Sequence, residues 1–142
     1  MPKLIVATVL MILSLGAVAF TSPLSWSGYD FREVNSFSEI PVGIQTKLGV
    51  GKQGIGGVAY FGQPLNFTEV VDCAKPMLWL LAAGRNGGTW LVALEQGGRG
   101  YSVQVYLFSA DQQRQHWVLL SRPTSLHEVL QHISSASQVH GG

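Results

Sequence analysis

The chain has 142 residues, 46 % of them hydrophobic and 12 % charged, with a formal net charge of +1. That length supports one domain with a sizeable core. A charge balance this close to zero, with no polybasic run, argues against electrostatic capture of nucleic acid or of an anionic membrane surface, and a single cysteine, Cys73, excludes an internal disulfide framework.

Lys3 is the only charged residue before Asp30, and Leu4–Phe20 is an apolar run broken only by Thr8, Ser14 and Gly16. Ala17-Val18-Ala19 then supplies the small side chains that a signal peptidase accepts. The expectation is a secretory signal at 1–19, a mature domain at 20–142, and a periplasmic or secreted location. After cleavage no membrane segment remains. An uncleaved Leu4–Phe20 anchor is the alternative, at the lower limit of length for spanning roughly 30 Å of hydrocarbon.

Residues 20–39 are polar and aromatic without a clear period and read as an irregular arm packed on the domain. Trp26, Tyr29, Phe31 and Phe37 argue against disorder there. Ile40 to Leu48 and Val58 to Phe61 read as strands, with the glycines between them as turns or bulges. Asn66 followed by Glu69 is a variant capping box, Leu65 and Val70 form a hydrophobic staple, and Phe67, Val70, Val71 and Ala74 follow a helical spacing. These predict a short helix from Phe67 to Ala74, ended by Pro76.

Four strands in series follow. Met77 to Ala83 is apolar throughout, and Asn86-Gly87 marks a hairpin into Thr89–Glu95. Gly97-Gly98-Arg99-Gly100 makes the next turn. Tyr101 to Phe108 then alternates Val103, Val105 and Leu107 with Ser102, Gln104 and Tyr106. A polar loop, Asp111 to Gln115, leads to a strand at His116–Ser121. Ser125 and Glu128 form a second capping box ahead of Leu126, Val129, Leu130 and Ile133. Residues 134–142 read as a frayed tail. The fold class is therefore α+β: an antiparallel meander sheet of four to six strands with two amphipathic helices. Both faces of that sheet are apolar, so either the segment 20–62 or a partner must cover the second one.

Sites of chemistry are few. Gly49 to Gly54 spells G-x-G-x-x-G, but Ile55-Gly56-Gly57 behind it cannot begin the helix that a dinucleotide requires, so no cofactor is expected. His127 and His132 lie about 140° apart on their helix and cannot grip one metal ion together. His116 and His140 read as surface histidines. Cys73, on the edge of the Phe67–Ala74 stripe, reads as a packing residue. No catalytic and no metal residue is assigned.

These features point to an exported, non-enzymatic binding protein whose partner is another protein, with an inhibitor or an immunity protein for an enzyme toxin as the specific form. The alternatives are a small envelope hydrolase using Cys73 or a histidine, and a membrane-anchored structural or assembly component. The candidate contact residues are Arg85, Arg99 and Tyr101 in the hairpin loops and Gln104 and Tyr106 on the polar face of their strand, since loops protrude and arginine and tyrosine anchor interfaces.

Overall fold

The computed structural model describes residues 24–60, 64, 66, 71–98 and 100–135. The expected signal at 1–19, Arg99, residues 67–70 of the expected first helix, and the tail beyond Ser135 lie outside the described residues.

The 20–39 segment is not an irregular arm. Within it, β1 (Leu24–Trp26) and β2 (Tyr29–Val34) form an antiparallel hairpin. Its two turn residues, Ser27 and Gly28, both have positive φ, 48° and 83°, which matches the natural twist of a two-residue hairpin. A single 3-10 turn, Phe37–Glu39, follows.

The predicted strand at 40–48 is instead α1 (Val42–Leu48). Alternation would have buried Val42 beside Ile40 and Ile44, but Val42 is 76 % exposed while Ile44 is fully buried. The spacing Ile40, Ile44, Leu48 is a helical one. The Gln45 side-chain amide donates to the Phe37 and Ile40 carbonyls, 2.7 Å each, and Gly49 ends the helix in the left-handed region, φ 83°.

Of the expected strand at 58–61, Val58–Ala59 forms β3, Tyr60 lies outside it and Phe61 is outside the described residues; β3 pairs in parallel, not antiparallel, with β4 (Leu78–Asn86). From β4 the meander runs as expected through β5 (Thr89–Gln96), β6 (Ser102–Ser109) and β7 (Gln112–Leu119). The expected polar loop at 111–115 belongs mostly to β7, because Ala110 takes a positive φ of 53° and closes a two-residue turn with Asp111. The sheet order is β1-β2-β4-β5-β6-β7, with β3 pairing to β4.

The expected helix at 67–74 does not reach its second half. Asp72–Lys75 forms a turn, held by Asn66, whose Oδ1 accepts the Asp72 N–H at 2.8 Å and whose amide donates to the Asp72 and Lys75 carbonyls. Asn66 is thus a loop clamp buried to 4 % exposure. Cys73 is exposed in that turn and does not pack on a core.

The closing helix is α2 (Leu126–Ser135), so residues 134 and 135 are helical and not frayed. Its capping box forms: Ser125 Oγ accepts the Glu128 N–H, and Glu128 Oε2 accepts the Thr124 N–H at 2.7 Å. Leu126, Val129, Leu130 and Ile133 are all buried against Phe31, Leu91, Val105 and Trp117 on one face of the sheet. The sheet curls around them, which brings its two outer strands together. Trp26 of β1 meets Trp117 of β7 edge to face at 5.6 Å and donates Nε1–H to Ser134 Oγ of α2.

On the opposite face Trp90, Val92, Leu94 and Phe108 lie under Phe37, Ile40, Ile44 and Val58. The 20–62 segment therefore supplies the cover for the second apolar face. At the β7 edge, Leu107 pairs with Gln115 and Phe108 with Gln113, so Arg114 is an extra residue in a bulge. A charged bulge on an outer strand discourages further strand pairing.

Candidate functional site

The expected contact residues do not converge. Arg85 stands at the β4–β5 hairpin end, exposed, its guanidinium 5.9 Å from the Trp90 ring. Tyr101 packs with the α2 face. Gln104 and Tyr106 do lie together, on the α1 face of β6, and the structure adds neighbours that the sequence did not single out.

β6 carries Ser102, Gln104 and Tyr106 on one side because side chains alternate along a strand. Across the ladder, Ser102 faces Gln96 of β5 and Tyr106 faces His116 of β7. A chain of polar contacts results. Gln104 Nε2 donates to Ser102 Oγ at 3.0 Å and to Gln96 Oε1 at 3.4 Å, and Gln104 Oε1 pairs with His116 Nε2 at 2.8 Å. The His116 and Tyr106 rings stack in parallel, 4.5 Å between centroids. Gln96, Gln104, Tyr106, His116 and Val118 are all half-buried, whereas the neighbouring Val92, Leu94 and Phe108 are sealed.

Desolvation lowers the His116 pKa below its ordinary value and raises that of Tyr106, so both side chains are neutral at pH 7. The patch offers neutral hydrogen-bonding groups against an aromatic platform. Chemically that suits recognition.

A second cluster sits on the α2 face at the other side of the sheet. The Glu95 carboxylate, 3 % exposed, accepts Trp79 Nε1–H at 2.8 Å and pairs with Arg122 Nε at 2.9 Å. The Tyr101 hydroxyl is buried near the same carboxylate without a well-formed hydrogen bond, and burial together with the Glu95 charge pushes its pKa up to about 12. Arg122 is largely exposed and caps the cluster from outside. Every strong acceptor of Glu95 is thus engaged in holding the fold.

The histidines of α2 make one further contact: Ser121 Oγ lies 2.6 Å from His132 Nδ1. Glu128, an acid of the same helix, accepts the Thr124 backbone N–H, and that bond together with one from the Thr124 hydroxyl holds its pKa below the usual carboxylate range. Among the described residues no carboxylate is hydrogen-bonded to His132, and the pair ties α2 to the segment that follows β7. Among the described residues no group of three His, Cys, Asp or Glu side chains could hold a metal ion.

Sequence reasoning missed His116, Gln96 and Ser102 as members of the patch. The alternation of β6 marks the polar side, but His116 joins Tyr106 only through the register that the Ala110–Asp111 turn imposes. No protein-family model, curated protein or solved structure matches the chain.

Proposed function

We propose that the chain is an exported, non-enzymatic binding protein that meets another protein through the Gln104–Tyr106–His116 patch. The observation that carries this reading is the unequal closure of the α1 face. Its apolar rows are sealed by the chain itself, while the adjoining row keeps a half-buried aromatic stack with an ordered amide network. Such pre-arranged side chains lose little freedom on contact, which favours affinity. Tyrosine supplies broad apolar area with a polar tip, as interface anchors do. Export rests on Lys3, the Leu4–Phe20 run and the Ala17-Val18-Ala19 site. An inhibitor or an immunity protein for an enzyme toxin is the form that fits a small domain without assigned chemistry.

The test is capture of partners on the 20–142 protein from the envelope of its own host, followed by calorimetric titration. Tyr106→Ala and Gln104→Ala are each expected to weaken the captured complex by about 30-fold, or about 2 kcal/mol. Arg85→Ala, at the far hairpin, is expected to leave it unchanged. Wild-type affinity in both patch variants, with their folds intact, would overturn the assignment.

A further inference from the structure

The patch has a polarity that the hydrogen bonds themselves determine. Gln104 places its Nε2 between two acceptors, Ser102 Oγ at 3.0 Å and Gln96 Oε1 at 3.4 Å. Its Oε1 is therefore the atom that faces His116 Nε2 at 2.8 Å, and an amide oxygen only accepts. It follows that His116 Nε2 carries the proton. In a neutral imidazole the other nitrogen, Nδ1, is then a bare acceptor. Among the described residues nothing donates to it. Among the described residues, desolvation is the cause that acts on His116, and the titratable group stacked on its ring is the neutral Tyr106.

Resting on the binding reading above, we infer that His116 Nδ1 is a recognition atom that accepts a hydrogen bond from an uncharged N–H or O–H donor of the partner protein, and that the patch does not take a carboxylate. The stack with Tyr106 fixes the ring plane, and Gln104 fixes which nitrogen faces outward. The sign of the pH response separates the two partner chemistries. A neutral donor needs neutral His116, so binding holds at neutral pH and is lost as acid protonates Nδ1. A carboxylate would be drawn to the imidazolium, and its binding would strengthen in acid.

The experiment needs no captured partner, so its failure is distinct from failure of the binding reading. Nitrogen-15 correlation spectra of the protein report the His116 tautomer directly. The expected result is a protonated Nε2 and a bare Nδ1 at neutral pH, with both protonated only below the ordinary histidine range. Phenol, a neutral O–H donor, and trifluoroacetate, a carboxylate that stays ionised in acid, are then titrated as probes above and below the transition that the spectra locate. Phenol is expected to shift the His116 and Tyr106 signals, with affinity falling by about tenfold in acid, while trifluoroacetate leaves them unmoved on both sides of the transition. His116→Ala should abolish the phenol response without changing the fold. A protonated Nδ1 with bare Nε2, which is the reversed Gln104 amide, would overturn the inference. So would a trifluoroacetate response that strengthens in acid, or the absence of any phenol response.

Discussion

The face under α2 is closed by a ten-residue helix with four buried side chains, whereas the face under α1 is closed by a seven-residue helix that buries only Ile44, together with the 3-10 turn and β3. Both faces began as rows of alternating apolar side chains on the same strands. The difference lies in reach. A long amphipathic helix lays a continuous stripe along the curled sheet, and β1 folds over with it until Trp26 meets Trp117. The short helix covers Trp90, Val92, Leu94 and Phe108 and stops, leaving the Gln104–His116 row at its margin. The polar residues on β6 fall where the cover ends, which is the arrangement that burial energetics demands: an unsatisfied buried amide costs about 1–3 kcal/mol, so polar rows tolerate only partial cover.

Weakening the two covers one at a time should cost unequal amounts of stability. Leu126→Ala removes a fully buried side chain from the α2 face and is expected to cost about 3–5 kcal/mol, near the whole stability of a small domain. Ile44→Ala is expected to cost about 2–3 kcal/mol, because α1 is short and its surroundings can collapse into the space. Urea denaturation of both variants checks the order; equal losses would mean that the two faces are closed equally well.

Close packing on the α2 face allows an opposite test. Gly84 lies on β4 where an added methyl would stand 2.8 Å from Leu126 Cδ2 and 3.0 Å from Phe31 Cβ. Gly84→Ala is therefore expected to destabilise by about 1–3 kcal/mol through overpacking, despite the better strand propensity of alanine. A variant as stable as the wild type would show that α2 can shift outward.

The smallest effect concerns Tyr101. Its folded pKa, about 12, lies above the unfolded value of 10.0. The neutral phenol is thus favoured by folding, a contribution fully present below pH 10 and lost as pH rises toward 12. Solvent screening of this partly exposed group holds it to under about 1 kcal/mol. Tyr101→Phe should flatten that part of the alkaline loss of stability. Ultraviolet titration should find Tyr101 ionising above the ordinary tyrosine range.

Local chemistry made much of the fold legible. The Asn86-Gly87 signal located the central hairpin, and Ser125 with Glu128 located α2, because turns and caps depend on residues within a few positions of one another. The β1–β2 hairpin escaped notice since Ser27 is an uncommon residue at positive φ. Asn66 looked like a cap because its side chain suits one, and that same side chain instead binds the loop through Asp72 and Lys75.

Of the candidate site, Gln104 and Tyr106 could be read from alternation along one strand. Their partners could not. His116 stacks on Tyr106 only after a two-residue turn has set the β6–β7 register, and Tyr101, expected to protrude in a loop, instead packs with Val103 and Val105 on the α2 face. The class of the fold, the meander from β4 to β7 and the stripe of α2 are all consequences of short-range periodicity. How far α1 covers its face, and which polar groups meet beside it, emerge only in the folded molecule, because they depend on contacts between residues far apart in the chain.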